Sequence, residues 1–201
     1  SGKTESLKSI SQQILNQGFP LLVIDFHGDI ELKNLESTII SPALGGVVGI
    51  NPLQIISFDA EKYGLAEQRR SIVSMFTRAI QKLSPKQIFF LEDALLEAYK
   101  RCGIFDDNPK TWTKPAPNMN LVLTILKEWS TLEVMKKDRP TIFSCIILVR
   151  HLFGDVIFNR DINLQVDRIL KSSNRIKLND LHENFQFLVA ETLLTLIFRK
   201  L

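Results

Sequence analysis

The chain has 201 residues, 45% of them hydrophobic and 23% charged, which is enough apolar material for a sizeable core and the wrong composition for disorder. Its formal net charge, 25 − 22 = +3, is too small an excess to argue for nucleic-acid binding by itself. The two cysteines, Cys102 and Cys145, make neither a metal spacing nor a disulfide framework and fit a reducing compartment, and no apolar run approaches the ~18 residues of a membrane helix.

From Thr4 to Gln17 the chain carries Leu7, Ile10, Ile14 and Leu15 at helical spacing, with Gly18 and Pro20 as stop signals. Leu21-Leu22-Val23-Ile24 is a continuous apolar run ending at Asp25, as expected of a strand covered on both faces in a parallel sheet. Residues 26–60 are rich in turn signals, among them Gly45-Gly46 and Asn51-Pro52, with Thr38–Ile40 and Val47–Ile50 as candidate short strands. From Ala60 to Phe105 the pattern is helical, with Leu65, Ile72, Val73, Phe76 and Ile80 on one stripe. Ser84-Pro85 reads as a helix start, and Lys100-Arg101 before Gly103 as its end.

The Pro-rich stretch from Asp106 to Asn120 is a loop, with Asn120 as the expected cap of a helix running through Trp129. Further helices are expected over Thr141–Phe153, in the segment RDINLQVDRILKSS, and over Phe185–Leu201, where Phe187, Leu188, Glu191, Leu194, Ile197 and Phe198 recur at helical spacing. A strand is expected over Ile176–Leu181. The order makes an α/β fold interrupted by helices. The expected divisions are 1–59 and 171–201 for the α/β core and 60–170 for the helical insertion.

Three short stretches carry candidate chemistry. Gly2-Lys3-Thr4 matches the end of the phosphate-binding pattern G-x-x-x-x-G-K-S/T, in which backbone N–H groups cradle phosphate, Lys reaches the β/γ-phosphates and the hydroxyl ligates Mg²⁺. The tripeptide alone turns up by chance in about one chain in ten of this length; the amphipathic helix and buried strand that follow strengthen it. Asp25, His27 and Asp29 sit at the carboxyl end of the first strand, where open α/β sheets bind ligands and where an acid can sit near Mg²⁺ or attacking water. A solvated turn explains the same residues equally well. Asn51-Pro52-Leu53 offers a fixed turn and no catalyst.

The basic residues Arg69, Arg70, Arg78, Lys82 and Lys86 cluster along one helical stretch, with Lys100-Arg101 and Lys136-Lys137 beyond. They can line a DNA channel through phosphate contacts, but the interspersed Glu61, Glu67, Glu92, Asp93 and Glu97 favour a mixed, solvated face. Trp112 can stack on a base, or simply pack its loop down.

Taken together, G-K-T, a helix, a strand ending in D-x-H-G-D, N-P-L, and the late RIKLNDL and FLVAETLLTLIF segments resemble the HerA/FtsK superfamily of P-loop ATPases, on the side of HerA and of the type IV secretion or conjugation ATPases. The resemblance is densest over residues 1–53 and 176–201. It implies a partial RecA-like P-loop core. Gly2, Lys3 and Thr4, with the adjoining Glu5, would belong to an ATP site, Thr4 to its Mg²⁺, and Asp25, His27 and Asp29 to the catalytic set.

The leading expectation is a section of a HerA-type motor that translocates double-stranded DNA, built as a homo-oligomeric, hexameric ring. The alternatives are a section of a type IV secretion ATPase moving protein or nucleoprotein, and a non-catalytic oligomerisation module. The implied location is the cytoplasm, or the inner face of a membrane for a secretion ATPase, with no direct membrane insertion. The first half of the phosphate loop and the Walker B acid lack counterparts in these residues, so hydrolysis by the chain alone is expected to be poor or nil.

Overall fold

A computed structural model of the chain describes residues 2–33, 35–39, 48–55, 64–80 and 82–200. Two compact units emerge: Ser1–Gly49 with Ile162–Leu201, and Ile50–Asp161. The divisions read from sequence, after residues 59 and 170, fall further along the chain than these.

The first unit is a small parallel sheet with helices. Helix α1 (Gly2–Asn16) leads into strand β1 (Leu22–Asp25). Between them Gly18, at φ 78°, reverses the chain, a conformation glycine adopts without a Cβ penalty. Strand β2 spans Glu36–Ile39 and strand β3 Asn174–Lys177; β3 lies between the other two, parallel to both. Leu22 and Glu36 both stand opposite Asn174, and Asp25 and Ile39 opposite Lys177. Parallel neighbours require long crossover connections; the one that enters β3 ends in helix α6 (Val166–Lys171), and helix α7 (Glu183–Phe198) follows β3.

Strand β3 begins before the expected Ile176, and ends before the expected Leu181; its polar first residues Asn174 and Arg175 are buried with partners. The Asn174 amide donates to the Ser172 hydroxyl at 2.7 Å and the Ser172 carbonyl at 3.1 Å. The expected core stripe of α1 is also different in the structure. Leu7 and Ile10 are about half exposed, and Ser11 is the buried residue of that helix. In α7 the buried face runs through Leu188, Val189, Leu193, Leu196 and Ile197, while Phe187, Leu194 and Phe198 are exposed. A helix apolar nearly all round gives no single stripe to read. The candidate strands near residues 40 and 47 lie partly outside the described residues, as do Gly45-Gly46 and Glu61. Gly49 makes a single parallel bridge to Asn163.

The second unit is helical: α2 (Leu65–Ile80), α3 (Pro85–Arg101), α4 (Met119–Thr131) and α5 (Arg139–Phe153). The start of α3 is a full capping box. Its Gln87 N–H donates to the Ser84 hydroxyl at 3.3 Å, while the Ser84 N–H donates to the Gln87 side chain at 2.8 Å. Helix α4 is capped by Asn118 rather than the expected Asn120. Asn118 Oδ1 accepts from the Leu121 N–H, and the Asn120 N–H is taken by Asn159 Oδ1. Phe153 packs edge-on against both Phe76 and Phe158, with centroids 5.0 and 5.1 Å away, at the centre of a core that includes Ile72, Leu91 and Ile125. No helix among the described residues is long and apolar enough to cross a membrane.

Candidate functional site: the turn after the first strand

The D-x-H-G-D segment is a turn built around the carboxylate of Asp25. That side chain is 1% exposed. Its Oδ1 accepts from the backbone N–H of Gly28 at 2.8 Å and of His27 at 3.3 Å, and its Oδ2 accepts from the Ile30 N–H at 3.1 Å. Arg175 Nε stands 3.1 Å from Oδ2, an ion pair without hydrogen-bond alignment. The same guanidinium donates from Nη2 to the Gly28 carbonyl at 3.1 Å. Both oxygens of Asp25 are thus committed within the turn, and the geometry gives this residue a structural part.

Gly28 is required twice over. It has φ 78°, and a Cβ there would lie 2.9 Å from Asn179 Cγ. From α7, Gln186 Nε2 reaches back to the carbonyls of Phe26 at 3.2 Å and of Leu178 and Leu181 at 3.1 Å, tying the loops after β1 and β3 together. The side chains left facing outward are His27 and Asp29, both exposed.

These two line a cleft of about 740 Å³ together with Thr4 and Leu7 of α1, Ile24 and Phe26 of β1 and its turn, and Glu183, Gln186 and Phe187 of α7. The fold therefore brings Thr4 of the G-K-T segment and the turn residues His27 and Asp29 to one place. Phe26 and Phe187 form a tilted ring pair on its wall, with centroids 5.6 Å apart. Gly2, Lys3 and Glu5 occupy the exposed first turn of α1. The Glu5 carboxylate lies 3.3 Å from Lys8 Nζ in an i,i+3 pair on the helix surface, outside the cleft lining. Among the described residues, no group of three His, Cys, Asp or Glu side chains could hold a metal by itself.

Arg175, Asn179 and Gln186 escaped the sequence reading. Arg175 pairs with a residue far along the chain, and no local spacing announces such a partner. Glu183 and Gln186 follow the late strand in the loop-to-helix position where α/β ligand sites form, the one signal that could have found them.

Several of the other sequence candidates have partners among the described residues. Arg69 forms a pair with Asp106 at 2.7 Å, Arg70 with Glu67 at 3.5 Å and Lys86 with Asp138 at 2.9 Å. Arg101 lies between Glu97 at 3.0 Å and Glu128 at 2.7 Å, and its hydrogen bond holds Glu128 below the usual carboxylate range. Trp112 is buried and donates its indole N–H to the Phe105 carbonyl at 2.8 Å, packing its loop down. The N-P-L segment is an anchor of the helical unit. Asn51 Nδ2 donates to the Pro117 carbonyl at 2.7 Å while its Oδ1 accepts from the Leu53 N–H.

No family model matches the chain, and no curated protein does. Among solved structures it is similar to VirB4 of Thermoanaerobacter pseudethanolicus, with a TM-score of 0.71 at 19% sequence identity. The likeness covers 98% of this chain and 53% of that one, so the chain spans about half the length of the VirB4 chain it matches. The chain has the fold of a part of VirB4, and at the level of the fold this bears out the resemblance to HerA/FtsK-type and secretion ATPases carried by its motifs.

Proposed function

We propose that the chain is a nucleotide-handling part of an ATPase of the type IV secretion or conjugation kind. The observation that carries this reading is the VirB4 fold running through 98% of the chain. The HerA-type DNA motor draws less support, since the basic residues that could track a DNA backbone are largely paired with acids.

The donor set fits MgATP. The first turn of α1 is the positive end of a helix dipole, Lys3 adds an exposed cation on that turn, outside the cleft lining, and Thr4 lines the cleft. Lys3 would hold the β/γ-phosphates and Thr4 the Mg²⁺. When bound, that ion neutralises charge on the phosphoryl oxygens. Asp29 and His27 line the same cleft and would orient a water there, with Asp25 holding the turn that carries them. Assembly into a hexameric ring belongs to the same reading.

The test is MgATP hydrolysis by the full gene product that contains these residues, with and without double-stranded DNA. Lys3→Ala should lower turnover by at least about 100-fold. Full turnover in that variant would remove Lys3 from the site and the reading with it. Strong stimulation by DNA would move the cargo from protein to nucleic acid, and absence of hydrolysis in the parent would favour the interaction module.

A further inference from the structure

The strongest unassigned feature is the guanidinium of Arg175, which is ion-paired with one group of the turn and hydrogen-bonded to another. It enters from the middle strand, in register with Val23, and its side chain is 5% exposed. One nitrogen faces the Asp25 carboxylate and another donates to the carbonyl of Gly28. The carbonyl it grips belongs to the left-handed residue between His27 and Asp29. That carbonyl lies in the peptide leading into Asp29, and the His27 N–H is held by the Asp25 carboxylate, so the guanidinium bears on both flanking residues. The planar guanidinium sets one nitrogen beside the Asp25 carboxylate and another on the Gly28 carbonyl; a lysine ammonium is a point charge on a flexible stem.

We infer that Arg175 is a positioning residue: by gripping the Asp25 carboxylate and the Gly28 carbonyl together, it fixes where His27 and Asp29 stand in the cleft beside Thr4. The catalytic consequence rests on the proposed ATPase reading; the hold on the turn does not.

Arg175→Lys separates the fork from the charge, because it keeps a cation beside Asp25 and so avoids a buried unpaired carboxylate. In the full gene product its kcat for MgATP should fall about 10–100-fold, the cost of a small misplacement of reacting groups, while KM changes less than about threefold. In the 201-residue chain, the NMR resonances of the Gly28 amide and the His27 ring should move, with those of the buried Leu188 and Val189 methyls unchanged. If Arg175→Lys does not fold, Asp25→Asn with Arg175→Gln removes both charges and is read the same way. Unmoved turn resonances, or an unchanged kcat in a parent shown to depend on Lys3, would overturn the inference. If Lys3→Ala retains full activity, the ATPase reading fails, and the Gly28 and His27 resonances still decide whether Arg175 holds the turn.

Discussion

The Tyr99 hydroxyl donates a 2.7 Å hydrogen bond to the backbone carbonyl of Leu53, and both residues are fully buried. This bond fastens the N-P-L segment to helix α3 of the same unit. Tyr99→Phe leaves that carbonyl short of a partner in an apolar setting. The expected loss is about 1–3 kcal/mol, read as a lower urea midpoint at unchanged slope.

Ser84 caps α3 in a reciprocal pair with Gln87, whose Nε2 also donates to the Ser144 hydroxyl of α5 at 2.6 Å. Ser84→Ala should cost about 1 kcal/mol. Gln87→Ala should cost more, because one side chain serves both the cap and the contact with α5. Equal thermal shifts in the two variants would show that the bond to Ser144 contributes nothing.

Gly28→Ala meets two separate obstacles, the left-handed backbone and the Asn179 side chain. The backbone term alone is about 1–2 kcal/mol. Adding Asn179→Gly should recover the contact term and leave the backbone term. A double-mutant cycle measures the split; complete recovery would mean the turn relaxes to an ordinary conformation.

Burial pushes the Cys145 thiol up to about 12. An unfolded thiol ionises near pH ~8.5. The folded value is the higher one, so the stabilisation is fully present below about pH 8.5 and is lost as pH rises toward 12, at up to about 1.4 kcal/mol per pH unit. Urea titrations from pH 7 to 11 should show a steeper alkaline decline for the native chain than for Cys145→Ala. Parallel curves would place the decline on other groups.

The local signals were the legible ones. Ser84-Pro85 announced a helix start because both residues act within one turn, and the run ending at Asp25 announced its strand because burial on a parallel sheet shows as continuous apolarity. The meeting of Thr4 with the D-x-H-G-D turn could be anticipated from order along the chain, since a helix and the strand after it return to one end of a sheet. What the sequence hid depends on distant partners. Arg175 carries no local signal of its partner, Asp25, which lies far back along the chain. Asn120 is the cap the sequence suggests, yet Asn118 takes that task while the Asn120 N–H goes to Asn159, a partner distant in the chain. The exposed apolar side chains of α1 and α7 show the limit of periodicity: it reports which residues share a face, and says nothing of what that face meets.

The bridge at Gly49 also bears on the order of folding. The Gly49 N–H donates to the Ile162 carbonyl at 2.8 Å and the Leu164 N–H to the Gly49 carbonyl at 2.9 Å, so the chain is stapled where it leaves the sheet unit and where it returns. Within the helical unit, the Ile50 N–H donates to the Ile157 carbonyl at 2.7 Å, bringing that unit's own ends together. A helical unit that forms first shortens the loop to be closed when β1 meets β3 from about 150 residues to about 40. That lowers the closure cost by roughly 1 kcal/mol. Helices rich in local contacts form quickly, so the insertion acts as a kinetic template, and the parallel sheet, with the turn it carries, is the last part of the chain to assemble.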